Sequence, residues 1–254
     1  MKKSSTPFIF GRHPVVEAIR AGQNVEKVFL QQGMRGEFEK EIRALSKEFE
    51  FPITVVPKER LQKYVRSGNH QGVLAFLSLI TYQKLEDILP HIYEQGETPL
   101  LLLLDGVTDV RNVGAIARSA ELLGVHALVL PQKGSAQINA EAMKTSAGAL
   151  AKIPVCRVKT TSQAIRQLQE MGIQVAASVL PAKQSILELD LTVPIGLVVG
   201  SEDEGVSAGV LKAVDTQFWI PQKGTLDSFN VSVAASIMLF ECARQRDCMQ
   251  GGLG

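Results

Sequence analysis

The chain has 254 residues, 45 % hydrophobic and 21 % charged, with a formal net charge of +1. That composition is ordinary for a globular protein, and a chain of this length buries roughly 70–75 % of its unfolded surface, which excludes a need for covalent staples. The three cysteines, Cys156, Cys242 and Cys248, are odd in number and form no CxxC, which excludes a disulfide framework and a zinc site. No apolar run approaches the roughly 18 residues of a membrane span. The opening MKKSSTPFIFGRH has no long apolar core after its lysines, so no signal peptide is expected. The protein is expected to be cytoplasmic, with Cys242 and Cys248 together on a final helix.

Charge is unevenly spread. Residues 1–80 hold 13 Lys+Arg against 8 Asp+Glu, and residues 81–254 hold 14 against 18. A net +5 on the first part and −4 on the rest points the first part toward a polyanion, although ordinary surface variation gives the same totals.

In chain order, residues 13–21 read as a short helix closed by Gly22, 25–30 as a strand, and 36–50 as an amphipathic helix whose Phe38, Ile42, Leu45 and Phe49 share one face. A strand at 53–56, a helix at 58–65 and an apolar strand at 73–80 complete a small α/β unit over 1–80. Residues 81–98, polar and marked by Pro90 and Pro99, read as a linker with one short helix at 84–93. From 99 to 254 strands and helices alternate: strands at 100–104, 127–130, 153–158, 173–178, 195–199 and 218–220, and helices at 112–123, 139–150, 162–171, 207–214 and 231–246. The apolar runs are continuous, as in strands covered on both faces, so a largely parallel sheet is expected.

The usual phosphate and dinucleotide fingerprints are absent, as are HExxH, GxSxG and any His/Cys cluster, so no metal is expected. His126 sits beside a strand and reads as structural. The candidate chemistry lies instead at strand-to-helix junctions, where open α/β sheets hold ligands. In DGVTDVRNVGAIARSAELLGV, residues 105–125, Arg111, Ala115 and Arg118 share a helical face. The small Gly114, Ala115 and Ala117 admit close approach of another backbone or a ligand; close helix packing with an Arg118–Glu121 surface pair explains the same residues. GSEDEG places Glu202 just past a strand, where Ser201 and Glu204 also fit a capping box. SFNVSVA sets Ser228 and Asn230 at a helix start, where Ser228 also fits an N-cap. In the first unit, Asn69, His70 and Gln71 of NHQG, with Arg12 and His13, offer donors to RNA or merely shape a turn and a cap.

Taken in order, NxGxxxR, GSExxG and SxNVSxA resemble the three motifs of the SpoU-type RNA 2′-O-ribose methyltransferases of the SPOUT superfamily. The resemblance runs from about Leu100 to Arg246 and includes TSAGAL, residues 145–150. FGRHPVVEAI and NHQGV further resemble the N-terminal domain of the subgroup acting on a guanosine of 23S ribosomal RNA. The resemblance implies an α/β fold: a small N-terminal RNA-binding domain like the ribosomal proteins that bind kinked RNA, and a C-terminal domain threaded as a trefoil knot. It implies S-adenosylmethionine held by main-chain groups near Gly200, Ile220 and Phe229, and a homodimer facing through the knot. The family's catalytic positions fall on Arg118, Asn112, Glu202, Ser228 and Asn230. Arg118 would hold a substrate phosphate and the hydroxyl, the two asparagines would orient Arg118 and the loops, and Glu202 would pair with Arg118 or guide the proton. Phe229 stands where the family more often has Leu, and Asp109-Val110 replaces the frequent Asp-Pro. The last helix carries a stripe of Val231, Ala234, Met238 and Cys242 that suits either a dimer interface or a core. Three other readings remain: 2′-O-methylation of tRNA, of a ribosomal RNA adenosine as in antibiotic resistance, or a non-catalytic RNA-binding assembly protein.

Overall fold

A computed structural model describes residues 7–250, with side chains to 246. The chain divides into two compact units, one running to Thr81 together with Ile138–Ala140, the other comprising Tyr82–Gln137 and the chain from Glu141 onward.

The first unit is a four-stranded sheet in the order β1 (Phe8–Phe10), β4 (Val73–Leu77), β2 (Val25–Gln31), β3 (Ile53–Val56). Only β2 and β3 run parallel. Alternation along β2 sends Val28 and Leu30 to one face, where Val15, Val16 and Ile19 of α1 (Arg12–Arg20) and Ile42 and Leu45 of α2 (Glu37–Glu48) cover them. Phe29 points to the other face, beneath Leu61 of α3 (Lys58–Gln62) and Val65. Strand β1 is too short and too close to the start of the pattern to be read from periodicity.

The second unit is an eight-stranded sheet, parallel throughout, in the order β10, β12, β9, β11, β6, β7, β8, β5. At its centre β6 (Leu100–Leu104) and β11 (Ile195–Val199) are buried at every residue, which is why each reads as an unbroken apolar run. Strands β7 (Ala127–Pro131), β8 (Val155–Val158) and β9 (Gln174–Ser178) lie near their expected positions. The two-residue strands β5 (Tyr82–Gln83) and β10 (Gln184–Ser185) carry no pattern. Strand β12 spans Thr216–Trp219, so Ile220 stands just past its end.

Residues 81–98, expected as a linker with one short helix at 84–93, do carry that helix as α4 (Leu85–Glu94), but they also supply β5 and belong to the second unit. Leu85, Ile88, Leu89 and Ile92 of α4 pack with Leu101, Leu103 and Val129 of the sheet and with Ile165 and Leu168 of α7 (Thr161–Glu170). Pro90 lies inside α4, which this apolar face holds on the sheet. The helix expected over 139–150 stops as α6 (Ala140–Thr145), because Ala147 and Gly148 turn left-handed, at φ 50° and 89°. His126 is structural: its Nδ1 accepts from the Leu100 amide at 3.0 Å and its Nε2 meets Glu97 at 2.6 Å.

The remaining helices are α5 (Val110–Leu122), α8 (Ala208–Leu211) and α9 (Val231–Gln250). Helix α9 turns Val231, Ala235, Met238, Leu239 and Cys242 inward, so the stripe read as a possible interface is core; Val233 and Phe240 face outward, 46 % and 62 % exposed. Burial pushes the thiols of Cys156 and Cys242 up to about 12, leaving both inert. Cys248 falls within α9, but its side chain lies outside the described residues.

Near the end of the described side chains, Arg246 fastens the lower edge of the sheet. Its guanidinium donates to the carbonyls of Leu191 (3.0 Å), Thr98 (2.6 Å), Pro99 (3.1 Å) and Val193 (3.0 Å), just ahead of β6 and β11. Partial burial lowers the pKa of this group from its ordinary value, and the four carbonyls compensate the desolvated charge. Arg246→Ala takes the charged donor from the Leu191, Thr98 and Val193 carbonyls, Pro99 keeping the Ile195 amide, and is expected to cost about 3 kcal/mol; urea unfolding measures the loss, and Arg246→Lys, which lacks the planar fork, recovers only part of it.

Candidate functional site

In the second unit the chain runs outward from β6 through β7 and β8, then returns to build β9 and β11 on the other side of β6. The loops after β6 and β11 therefore diverge at the centre of the sheet, the place where open parallel sheets leave a crevice. A concavity of about 540 Å³ opens at the strand ends there, lined by Ser178, Val199 to Val206, Ile220 and Asp227 to Phe229, among others.

The loop after β11 is closed by sterics as much as by hydrogen bonds. Ser201 and Gly205 exchange two main-chain hydrogen bonds of 3.0 Å, and the Glu204 amide donates to Ser201 Oγ at 3.1 Å. No helix begins here, so Ser201 and Glu204 form a turn rather than the capping box that their spacing allowed. A β-carbon on Gly200 would lie 2.0 Å from the Gly205 carbonyl carbon and 2.2 Å from the Val206 nitrogen, so only glycine fits.

This closed loop presents Glu202 to both neighbouring junctions. Its Oε1 accepts from Asn112 Nδ2 at 2.9 Å and also from Asn230 Nδ2. The two asparagines are themselves in contact, Asn230 Nδ2 lying 3.3 Å from Asn112 Oδ1. Asn230 Oδ1 accepts from the Ser232 amide at 3.0 Å and from its hydroxyl at 2.6 Å, so Asn230, not Ser228, closes the start of α9. At the other junction Asp109 caps α5 by accepting from the Arg111 amide at 2.8 Å. The Arg111 guanidinium also binds Asp109, at 3.1 Å, and holds its carboxyl below the usual carboxylate range. Arg111 is thereby spent locally.

Of the expected site residues, Asn112, Glu202 and Asn230 form one hydrogen-bonded unit, and Gly200, Ile220, Ser228 and Phe229 line the concavity. Arg118 does not join them. It lies exposed on α5, outside that lining, and makes no hydrogen bond or ion pair among the described residues. Glu202 therefore pairs with the asparagines and not with Arg118, and the alternative partner Glu121 binds Lys152 at 3.0 Å. Gly114 answers to packing rather than to a ligand: a β-carbon there would meet Thr145 Cβ at 2.7 Å and the Ala142 carbonyl oxygen at 2.8 Å.

One residue escaped sequence reasoning. Asp105, 9 % exposed at the end of β6, accepts from Thr161 Oγ1 and from the Ser207 amide, both at 2.8 Å. It ties the start of α7 and the far end of the 200–206 loop to the central strand. The only signal was a lone carboxylate directly after five leucines.

The charges of the concavity select its ligand. Glu202, Asp203, Glu204 and Asp227 line it with no lysine, arginine or histidine beside them. Such a lining repels phosphates and suits a molecule with positive charge, while Val199, Ile220 and the 38 % exposed Phe229 offer apolar surface for a flat ring.

The first unit carries the opposite arrangement. A concavity of about 1050 Å³ is lined by Arg12, Arg35, Lys58 and Arg66, by His13 and His70, and by the Asn69–Gly72 turn, with no carboxylate. The turn is built by Gln71 at φ 51° and Gly72 at φ 80°. Asn69 Oδ1 accepts from the Gln71 amide (3.0 Å), and Gln71 Oε1 accepts from the Arg12 amide at the start of α1 (2.9 Å). His70 is 7 % exposed, its Nδ1 accepting from the Gly72 amide at 3.0 Å. The NHQG turn thus has the structural role allowed for it and also faces a basic hollow.

Fold and site together define a two-unit α/β protein with a basic hollow in one unit and an acid-lined strand-end pocket in the other. The model of the SpoU rRNA methylase family matches residues 99–240, and that for RNA 2′-O ribose methyltransferase substrate binding matches residues 8–83. The chain is 36 % identical to a 23S rRNA (guanosine-2′-O-)-methyltransferase of Yersinia pestis, over 94 % of this chain and 97 % of that protein. It is 34 % identical to an uncharacterized tRNA/rRNA methyltransferase of Synechocystis, again over 94 % of this chain, and spans 62 % of that longer protein. An AdoMet-bound rRNA methyltransferase from Sinorhizobium meliloti matches in structure with a TM-score of 0.60 at 25 % identity, over 93 % of this chain and 86 % of that one. The chain belongs to the SpoU family of RNA methyltransferases, with the family's substrate-binding domain ahead of its methylase domain.

Gly200→Ala forces the 200–206 loop off its closed turn. A loss of about 1–3 kcal/mol is expected from overpacking, read by thermal unfolding, together with faster proteolysis within residues 201–206.

Proposed function

We propose that this protein transfers a methyl group from S-adenosylmethionine to a ribose 2′-hydroxyl of RNA, most specifically a guanosine of 23S ribosomal RNA, free or in an assembling particle. The observation that carries the reading is the Asn112–Glu202–Asn230 unit beside an acid-lined concavity, with all three family motifs meeting at the strand ends. The guanosine in 23S RNA rests on the Yersinia pestis relative; other relatives are named only tRNA/rRNA methyltransferases. We take the trefoil knot of the C-terminal domain as part of the same reading.

The pocket fits the donor by charge and shape: S-adenosylmethionine carries a net positive charge and a flat adenine, against four carboxylates and the apolar Ile220 and Phe229. When bound it supplies an electrophilic methyl on a sulfonium. The chain's own contribution is chiefly alignment of the hydroxyl for in-line attack. The exposed, unpaired Arg118 binds a substrate phosphate and fixes the ribose beside it. A guanidinium stays protonated, so Arg118 orients the hydroxyl while its proton passes to phosphate or water. Asn112, Glu202 and Asn230 hold the two helix starts in register, and Ser228, with no hydrogen bond among the described residues, is available to the donor. Arg12, His13, Asn69, His70 and Gln71 bind RNA in the basic hollow.

We further infer a homodimer. It forms not through the inward stripe of α9 but through the open apolar groove of about 480 Å³ between α5 and α9, lined by Ala115, Leu123, Val233, Ile237 and Phe240. A second copy there also brings new groups to Arg118, one turn along α5 from Ala115. Phe240→Glu is expected to give monomers in sedimentation velocity; a wild-type chain that is monomeric at micromolar concentration removes the inference.

The central test is mass-spectrometric mapping of 2′-O-methylribose after incubating ribosomal RNA with the purified chain and S-adenosylmethionine. No new methylribose sinks the reading. Arg118→Ala is expected to lower turnover at least a hundredfold while calorimetric affinity for S-adenosylmethionine stays within about threefold.

A further inference from the structure

The basic hollow of the first unit holds more than charge. We propose that it reads the base of an unpaired guanine, with the Arg12 guanidinium and the His70 Nε2–H as the reading groups. The proposal rests on the RNA-binding role given to this unit above and adds to it a base that the unit itself reads.

His70 Nδ1 accepts from the Gly72 amide at 3.0 Å, so in the neutral ring the proton sits on Nε2. Nε2 has no partner among the described residues, and no buried side-chain nitrogen or oxygen among them is left unpaired. Nε2 therefore opens into the hollow that His70 lines. Arg12 is held just as firmly. Its Nε donates to the Gln71 carbonyl at 3.4 Å and its guanidinium carbon lies 5.2 Å from the centre of the Phe38 ring, which leaves both terminal nitrogens uncommitted. The side-chain oxygens of Asn69 and Gln71 each accept one main-chain amide, and their NH₂ groups are uncommitted. Arg12 and His70 thus present N–H groups, no carboxylate lines the hollow, and the side-chain amides of Gln31, Gln32 and Gln62, each both donor and acceptor, complete its lining.

An anchored arginine fork beside an imidazole N–H matches an edge with two adjacent acceptors. Guanine offers two adjacent acceptors, N7 and O6, matched to the fork of an arginine, whereas adenine and cytosine each place an NH₂ on the corresponding edge. Phosphate is also acceptor-only, and Arg35, Lys58 and Arg66 supply charge for the backbone around the base. The guanine must be unpaired, because the major groove of an RNA helix is too deep and narrow to admit these side chains. A hollow of about 1050 Å³ has room for a splayed nucleotide.

The test uses the full chain and four hairpin RNAs with one stem and a uridine loop. The central loop position carries uridine, adenosine, guanosine or 7-deazaguanosine, which lacks N7. At constant salt, the guanosine hairpin is expected to bind about tenfold tighter than the other three. In Arg12→Lys, which keeps the charge and loses the fork, the four hairpins are expected to bind alike; Arg12 is exposed, so folding is not at stake. His70→Phe is expected to reduce the preference, and Arg66→Ala to weaken all four hairpins equally. Equal wild-type binding of all four leaves a phosphate surface and overturns the proposal while the RNA-binding role stands. A preference that survives Arg12→Lys overturns the assignment of the reading group. Failure to bind any hairpin overturns both the proposal and the role it rests on, while leaving cofactor binding in the second unit separately measurable.

Discussion

A single carboxylate oxygen joins the catalytic half of this molecule. Glu202 Oε1 receives the amides of Asn112 and Asn230, and so couples the junction after β6 to the junction before α9. That bridge exists only because the preceding loop turns back within five residues, and the turn exists only because position 200 has no side chain. Asp105 secures the far end of the same loop from below. The pocket is thus less a cavity between rigid walls than the interior of a loop drawn tight at three points. Its negative charge follows from the residues that draw it tight.

The opposition between the two hollows gives meaning to a net charge near zero. Four cations without an acid line one, and four acids without a cation line the other. A polyanion attracted to the first is repelled by the second, which keeps phosphates out of the place where a positively charged methyl donor fits. Arg118 stands apart from that pocket, exposed on α5 and without a hydrogen bond or ion pair among the described residues. The N-terminal excess of +5 was readable as a total; that it concentrates around one turn was not.

What could be read in the sequence was whatever local pattern controls. Leu100–Leu104 and Ile195–Val199 announced buried parallel strands because both their faces are covered, and α2 announced itself through Ile42 and Leu45. The motif order identified the family and gathered Asn112, Glu202 and Asn230 correctly. What failed was whatever distant residues control. Strands of two residues exist only through their neighbours. Helix α4 was legible as a helix, but its segment looked like a linker because the apolar surface awaiting Leu89 and Ile92 was not visible. Glu202 looked like a cap or a partner for Arg118 because the asparagines that bind it stand 90 and 28 residues away. The stripe on α9 fitted core and interface equally, and only the sheet it rests on decided between them.

Arg246 carries a consequence for how such a chain comes into being. The carbonyls it binds are made far earlier: Pro99 precedes it by 147 residues and Leu191 by 55. At a synthesis rate of about 5–20 residues per second, the start of β6 waits about 7 to 30 s for its guanidinium. Throughout that interval the nascent sheet has an open lower rim, and until β11 emerges to pair with it one edge of the leucine strand is a ready template for another chain. A protein fastened this late gains a firm final state and pays in exposure on the ribosome, so its yield in the cell is set as much by what shelters the unfinished sheet as by the stability of the finished one.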